Sequence, residues 1–236
     1  MKAIILAGGL GTRLRPLTLE IPKALIPIQG KTLTEHVIAI LKRAGVDTVY
    51  LSIGYLHEKI SDYFKDGSDF GIRIKYIVET EPLGTGGWMH IIPKEELSEN
   101  FFVVNGDNLF DLDIKSFLNF HNKKSAIATI SLITVEDVSS YGIVEINSDK
   151  ILRFVEKPKK EDAPSNLANS GYYIFNKKAF DYVPIERKFS LEKDFFPKLA
   201  NEGVLFGYPE NALWFDTGTF ERWEEVIRNW KSYEKL

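Results

Sequence analysis

Ala3-Ile4-Ile5-Leu6-Ala7-Gly8-Gly9-Leu10-Gly11-Thr12-Arg13-Leu14-Arg15-Pro16-Leu17-Thr18, with Pro22-Lys23-Ala24 a short way beyond, decides the reading of this chain. The run Ala3 to Leu6 is apolar throughout, the pattern of a buried parallel strand. Gly8, Gly9 and Gly11 then withhold side chains where backbone must come close to a ligand, and glycine also permits positive φ. Arg13, Arg15 and Lys23 follow within a dozen residues of Gly11. A strand, a bare loop and then fixed cations is a way to hold a polyphosphate. The stretch therefore predicts a nucleoside triphosphate at the carboxyl end of the first strand.

Two better-known glycine loops do not fit. The Walker pattern requires Gly-Lys-Ser/Thr after its spacers, whereas Gly11 is followed by Thr12-Arg13. The dinucleotide pattern requires a third small residue three positions after its second glycine. With Gly9 and Gly11 as its first pair, that position is Leu14.

The full string resembles the signature of the sugar-1-phosphate nucleotidyltransferases: Gly-Gly-x-Gly-Thr-Arg-Leu, then Pro-Leu-Thr, then Pro-Lys. All of it stands between Gly8 and Lys23. The resemblance continues in Glu81-Pro82-Leu83-Gly84-Thr85-Gly86, Asn105-Gly106-Asp107, Tyr141-Gly142, Val155-Glu156-Lys157-Pro158, Asn169-Ser170-Gly171 and Phe215-Asp216-Thr217-Gly218-Thr219. These motifs keep family order along nearly the whole chain.

Composition sets bounds. The 236 residues are 44% hydrophobic and 27% charged, ordinary for a soluble globular protein, and the net charge of −3 gives no global attraction to nucleic acid. There are no cysteines, which excludes disulfides and thiolate chemistry. No signal peptide is read at Met1-Lys2, and no apolar run reaches membrane-spanning length. The expectation is a cytoplasmic enzyme with no membrane or nucleic-acid partner. A homo-oligomer cannot be read from the sequence.

The first half alternates strand and helix patterns. Thr32 and Glu35 have capping-box spacing, and Leu33, Val37, Ile40, Leu41 and Ala44 recur at helical intervals before Gly45. Thr48 to Ile53, Ile72 to Val78 and Phe101 to Val104 read as strands, and Glu58 to Phe64 as a helix. The second half is mixed: strands at Ala126 to Ile133, Gly142 to Ile146, Ile151 to Val155 and Tyr172 to Phe175, helices at Glu192 to Leu199 and Phe220 to Trp230. The predicted fold is α/β and Rossmann-like, a mostly parallel central sheet with helices on both faces and a mixed sugar-binding C-terminal half. It is taken as a single catalytic domain, 1–236, with a nucleotide-binding half (1–113) and a sugar-phosphate-binding half (114–236). Many members of the family carry a C-terminal left-handed β-helix; no hexapeptide repeat stands here, so none is expected.

The resemblance implies a reaction. A sugar-1-phosphate oxygen attacks the α-phosphorus of a nucleoside triphosphate, pyrophosphate leaves, and a nucleotide-sugar forms. The attacking phosphate is largely a dianion at neutral pH, its second pKa being about 6, so no general base is required. Alignment of two anions and stabilisation of the leaving group remain. Arg13 is the candidate for the β/γ-phosphates, because a rigid guanidinium fork suits phosphate. Lys23 would reach the α-phosphate or the sugar phosphate. Arg15 either binds phosphate or pairs with a carboxylate. Backbone amides of Gly8, Gly9, Gly11 and Thr12 would cradle the phosphates, Leu6-Ala7-Gly8 would help to read the base, and Gly86 would also lie at the nucleotide.

By the same resemblance, Asp107 and Asp216 hold Mg²⁺, a hard cation suited to carboxylate and phosphate oxygens. Asp111 and Asp113 are read as turn and cap residues. Glu156 is expected at ring hydroxyls, Lys157 at the sugar phosphate, Gly142 as a place where backbone approaches the sugar, and Asn169 at another hydroxyl. His36, His57, His90 and His121 show no metal-ligand spacing and are read as helix-surface or capping residues. Phe101, Phe102, Phe195, Phe196 and Trp223 are read as packing residues.

Glu81, or Glu79 two residues earlier, bears on the base. Guanine offers N1–H and its N2 amine side by side, which one carboxylate accepts together; uracil and thymine place N3–H between carbonyls, which suits an amide. The expectation is therefore GTP; Glu81 to Gly87 with Asn105-Gly106-Asp107 most resembles the short guanylyltransferases for mannose-1-phosphate or a manno-heptose-1-phosphate, and that resemblance implies mannose-1-phosphate as acceptor and GDP-mannose as product. The alternatives are a uridylyl- or thymidylyltransferase for glucose-1-phosphate or an amino-sugar phosphate, and a guanylyltransferase for a manno-heptose-1-phosphate. A non-catalytic regulatory relative would lose an arginine, the lysine or a metal aspartate, and Arg13, Lys23, Asp107 and Asp216 all stand.

Overall fold

The computed structural model describes residues 1–231; the last five, 232–236, within the expected second half, lie outside the described residues. In chain order the elements are β1 (Lys2–Leu6), β2 (Pro27–Ile28), β3 (Lys31–Thr32), α1 (Leu33–Lys42), β4 (Thr48–Ile53), α2 (His57–Phe64), β5 (Arg73–Val78), β6 (Asn100–Asn105), β7 (Asn108–Phe110), α3 (Ile114–Lys124), β8 (Ala128–Thr134), β9 (Gly142–Asn147), β10 (Lys150–Glu156), β11 (Leu167–Asn176), α4 (Phe196–Asn201), β12 (Leu205–Pro209), β13 (Trp214–Asp216) and α5 (Phe220–Asn229). They fall into two compact units. The first joins Met1–Pro82, Val104–Ile114 and Leu213–Leu236; the second joins Leu83–Val103 and Lys115–Ala212. Each is assembled from separate stretches of chain.

The first unit is Rossmann-like. β1 pairs with β4, and β4 with β5, all parallel, with Lys2 opposite Thr48 and Thr48 opposite Arg73. Every residue of β4 is buried, and Ala3, Ile4 and Ile5 have no exposed surface, as expected of strands covered on both faces. α1 opens on the capping box read from sequence: Glu35 N donates to Thr32 Oγ1 and Thr32 N to the Glu35 carboxylate. Its apolar face buries Leu33, Val37, Ile40 and Leu41, so packing rather than propensity holds it.

Two further features of this unit matter for the site. β7 pairs antiparallel with β13, Asn108 opposite Asp216 and Phe110 opposite Trp214. Thr217 N and Oγ1 both donate to the Asp107 carbonyl, each at 3.0 Å. α5 is fastened to the β2–β3 hairpin: Gln29 Nε2 donates to the carbonyls of Ile227 and Trp230, and Trp223 Nε1 to the Pro27 carbonyl.

The second unit is a mixed sheet in the order β11-β8-β12-β10-β9. β12 runs parallel to β8, while β11–β8, β10–β12 and β10–β9 are antiparallel. β11 carries a bulge between Asn169 and Tyr173, where Asn169 faces Leu132 and Tyr173 faces Ile130. Gly171, at φ 85°, makes the bulge feasible.

Two expectations need correction. His36 and His121 are not surface residues but buried, at 3% and 1% exposure. His36 Nε2 meets the Ile28 carbonyl and its Nδ1 accepts from Trp230 Nε1, so the neutral Nε2–H tautomer satisfies both nitrogens. His121 Nδ1 meets Thr129 Oγ1, but its Nε2 is buried with no partner among the described residues. The helix expected over Glu192 to Leu199 is instead a π-turn, Leu191–Phe195, running into α4. Pro197 supplies the reason: it has no N–H to donate back into the preceding turn, and Phe196 N reaches the Leu191 carbonyl instead.

Candidate active site

The loop after β1 is shaped by its glycines and one buried anchor. Ala7 N donates to the Ser52 carbonyl, continuing the β1–β4 ladder. Gly8 lies close against Gly54; a Cβ there would stand 3.4 Å from Gly54 N. Gly11 sits at φ 59°, and its Cβ would come within 2.8 Å of Thr18 Cγ2. Thr18 is buried, and its hydroxyl donates to the Gly11 carbonyl at 2.8 Å. Leu14 is fully buried and pins the one-turn helix Thr12–Leu14. Thr12, Arg13 and Arg15 are left exposed above it. Gly9 differs: a Cβ there would meet nothing of the chain within 4 Å. The fold does not require glycine at 9.

Arg13, Lys23, Asp107, Asp216 and Arg222 converge in this first unit. Lys23 Nζ donates to Asp107 Oδ2 at 2.7 Å, with the lysine side chain 13% exposed. Burial raises the cost of the Asp107 carboxylate; the Lys23 ammonium, with Arg13 farther off, more than offsets it and holds the pKa below the usual range. Asp216 Oδ1 accepts from Gly218 N at 2.7 Å, and Oδ2 takes Arg222 Nη1 at 2.5 Å. Arg13 lies over Gly218: a Cβ there would stand 2.9 Å from Arg13 Nη2 and 2.7 Å from Asp216 Oδ1. Neither the Arg13 nor the Arg15 side chain forms a hydrogen bond or ion pair with the described residues. Three cations face two carboxylates, an excess of positive charge that suits an anionic ligand.

The β7–β13 ribbon is what brings the two aspartates together, since Asp107 immediately precedes β7 and Asp216 ends β13. Their donors are all oxygen, as Mg²⁺ prefers. Among the described residues no group of three or more His, Cys, Asp or Glu side chains could cage a metal. The pair therefore fits a metal that draws its remaining ligands from phosphate and water, not one held by protein alone.

Glu79 and Glu81 are placed differently. Glu79 follows β5, is partly buried, and accepts Ser52 Oγ at 2.7 Å. Its N–H donates to the Ile53 carbonyl, and its carbonyl lies 3.5 Å from where a Gly54 Cβ would stand. Glu81 is exposed.

In the second unit, Gly84 and Gly86 serve internal packing. Gly84, at φ 79°, and Gly86 press against Phe189; a Cβ at 86 would overlap its ring at 2.1 Å. Gly142 is likewise pressed by the Phe154 ring and lies 3.0 Å from Glu156 Oε2, measured from the Cβ it lacks. Glu156 ends β10 with its side chain 17% exposed, 3.5 Å from the exposed Lys157 ammonium. Burial first, and the neighbouring Glu192 carboxylate second, push the Glu156 pKa up. Asn169 is nearly buried at the β11 bulge; its Oδ1 accepts from Gly171 N and its Nδ2 donates to Tyr173 Oη.

Sequence reasoning did not single out Arg222 or Glu192. Arg222 follows Asp216 by six residues and could have been found as the nearest cation to an expected metal ligand. Glu192 finds its partner Thr85 across 107 positions, which no local pattern announces.

A family model described as Nucleotidyl transferase matches residues 2–232. A UTP–glucose-1-phosphate uridylyltransferase of Synechocystis is 40% identical over 99% of this chain and 64% of its own length. A mannose-1-phosphate guanylyltransferase catalytic subunit beta of Xenopus tropicalis is 41% identical over 92% of this chain and 61% of its own. The chain thus spans a little under two thirds of these relatives. A D-glycero-α-D-manno-heptose 1-phosphate guanylyltransferase of Aneurinibacillus thermoaerophilus is 35% identical over 99% of this chain and 100% of its own. Among solved structures, HddC from Yersinia pseudotuberculosis complexed with GMP-PN aligns at TM-score 0.79 and 33% identity, over 98% of this chain and 99% of that one. By the family match over residues 2–232 and a relative covered end to end, the chain belongs to the nucleotidyl transferase family, among the sugar-1-phosphate nucleotidyltransferases.

Proposed function

We propose that this chain transfers a nucleotidyl group from a nucleoside triphosphate to a sugar-1-phosphate, with GTP and mannose-1-phosphate as the favoured pair. The observation that carries the reading is the convergence of Arg13, Lys23 and Arg222 on Asp107 and Asp216, beside a glycine loop whose Gly9 the fold itself does not require.

The sugar-phosphate oxygen forms a bond to the α-phosphorus, the bond from that phosphorus to the bridging oxygen breaks, and pyrophosphate departs with the electron pair. Amides of Gly8, Gly9, Gly11 and Thr12 and the Arg13 guanidinium hold the triphosphate. Lys23 gives its ammonium to the α-phosphate or the incoming phosphate, and Asp107 keeps that ammonium in place until then. Mg²⁺, held by Asp107 and Asp216, would supply charge neutralisation at the phosphates. Glu156 and Lys157 of the second unit bind the sugar and its phosphate.

The guanine reading rests on a carboxylate. Glu79, partly buried and braced by Ser52 at the end of β5, is better fixed for two adjacent donors than exposed Glu81. The Yersinia structure with a guanine nucleotide analogue and the two guanylyltransferase relatives support it. Uridylyl transfer to glucose-1-phosphate is the second reading, favoured by the Synechocystis relative, and transfer to a manno-heptose-1-phosphate the third, favoured by the relative of equal length.

The test is pyrophosphate release with Mg²⁺, crossing GTP, UTP, dTTP, ATP and CTP with mannose-1-phosphate, glucose-1-phosphate and a manno-heptose-1-phosphate. Strong release with GTP and mannose-1-phosphate is expected. Release only with a pyrimidine triphosphate overturns the base assignment, and silence across the grid overturns the reaction.

A further inference from the structure

The first turn of α5 departs from the pattern set by α1. At α1 the cap and the third helical residue are Thr32 and Glu35, and each satisfies the other's backbone amide. At α5 the cap is again a threonine, Thr219, and its hydroxyl oxygen accepts from the amide three residues on, but that third residue is Arg222. A glutamate or glutamine there returns a bond to the cap, and the positive end of a helix favours acid over base. Arginine forgoes the return bond and sets a permanent charge against the helix dipole. A local preference overridden in this way is a mark of a functional position.

Helical side chains lean toward the N-terminus, so Arg222 reaches back past the cap. Its Nη1 donates to Asp216 Oδ2 at 2.5 Å. The docking of α5 has other supports: Val226 is fully buried, Gln29 and Trp223 bond across to the β2–β3 hairpin, and Trp230 packs edge-on against His36 and Phe215. The carboxylate is what depends on Arg222. The Asp216 side chain is only 10% exposed, and a shielded carboxylate is costly unless its charge is compensated. Lys23 treats Asp107 in the same way, also at Oδ2. Each acid thus keeps one oxygen on a cation of the chain. Counting Arg13, three cations already face two carboxylates, so a divalent ion arriving alone meets a positive site. An ion arriving on a triphosphate comes with more negative charge than it adds.

We infer that Arg222 is a positioning residue that takes the place of the metal at Asp216: it holds the carboxylate ready and opposes a divalent cation that comes without a triphosphate. This inference rests on the nucleotidyl-transfer reading above and on Asp216 as a metal ligand. Because a guanidinium does not lose its proton, the opposition lasts until the charge of the triphosphate outweighs it.

The experiment titrates Mn²⁺ alone into the whole protein and follows the free-ion signal by electron paramagnetic resonance. Wild type is compared with Arg222→Gln, Arg222→Lys and the double variant Arg222→Gln, Asp216→Ala. Glutamine suits the third helical position, so Arg222→Gln removes the charge and keeps the helix start, which thermal unfolding verifies. Arg222→Gln is expected to bind Mn²⁺ on the order of ten- to a hundredfold more tightly than wild type, the effect of lifting a unit charge from beside a dication. Arg222→Lys should restore the weak binding of the wild type, and the double variant should lose the gain. In pyrophosphate release with Mg²⁺, GTP and mannose-1-phosphate, Arg222→Gln should lower kcat roughly tenfold as its carboxylate loosens, and Arg222→Lys should recover part of it. Equal Mn²⁺ affinity in wild type and Arg222→Gln overturns the inference alone, as does an Arg222→Lys protein that binds Mn²⁺ as tightly as Arg222→Gln. A gain that survives Asp216→Ala removes Asp216 from the metal assignment and the inference with it. A wild type that releases no pyrophosphate with any sugar phosphate overturns the reading beneath it.

Discussion

Gly218→Ala should disable the nucleotide end of the site while leaving the fold intact. The backbone at 218 is not in the left-handed region, so alanine is free to adopt it. Its Cβ, however, would stand 2.9 Å from Arg13 Nη2, 3.3 Å from Arg13 Cζ and 2.7 Å from Asp216 Oδ1. Ordinary contact begins about half an ångström farther out, so the guanidinium must withdraw by at least that much. Withdrawal costs the fold little, because Arg13 is exposed and bonded to no described residue. It costs binding a great deal if Arg13 grips phosphate, since a hydrogen bond to a charged group is worth roughly 1.5–3 kcal/mol, or about ten- to a hundredfold in affinity. The assay varies the triphosphate at saturating sugar phosphate and follows pyrophosphate, with thermal unfolding in parallel. KM for the triphosphate should rise by that factor with no material change in unfolding temperature. The same substitution in an Arg13→Ala background separates the routes. If Gly218→Ala costs as much there as in the wild type, the effect does not pass through Arg13 and the reasoning fails.

Asp107→Ala should abolish Mg²⁺-dependent turnover while circular dichroism remains native, and near-normal turnover would remove Asp107 from the metal assignment. His121 makes the second unit acid-labile. Burial takes its pKa from 6.5 to about 4, so above 6.5 folded and unfolded states are alike and below it the unfolded state binds the proton first. Stability is therefore complete above pH 6.5 and lost as pH falls toward 4, by roughly 3 kcal/mol over the window. Denaturant unfolding at pH 7.5 and 5.0 should show about 2 kcal/mol of this loss in the wild type and not in His121→Gln; equal losses in the two proteins would refute it.

What could be read without the structure was what the chain writes locally. The glycine loop, its cations and the Thr32–Glu35 box each occupy neighbouring positions, so spacing alone carries their chemistry. The burial of His36 was not legible, because its neutral tautomer depends on Trp230, 194 residues away. A lone histidine on an amphipathic helix gives no sign of such a partner. The π-turn was hidden for another reason: the apolar period through Leu191, Phe195 and Leu199 fits an α-helix, and only the missing donor of Pro197 disturbs it. Gly86 was read as lying at the nucleotide and Gly142 as an approach for the sugar; Phe189 and Phe154 are the neighbours a side chain there would meet. Sequence shows that a glycine is needed, not which neighbour needs it.

The β7–β13 ribbon has a consequence for synthesis. Arg13, Lys23 and Asp107 leave the ribosome well before the carboxylate that completes the pair and the Thr217 that clasps the Asp107 carbonyl, which stands 110 residues downstream of Asp107. Until then the nascent chain carries the cations of the proposed phosphate site without the geometry to use them productively. Maturation of this centre thus waits for its second acid: a chain halted before Asp216 holds most of the cations and only one of the two acids, and no partial activity should grade between a chain halted there and one that has passed it.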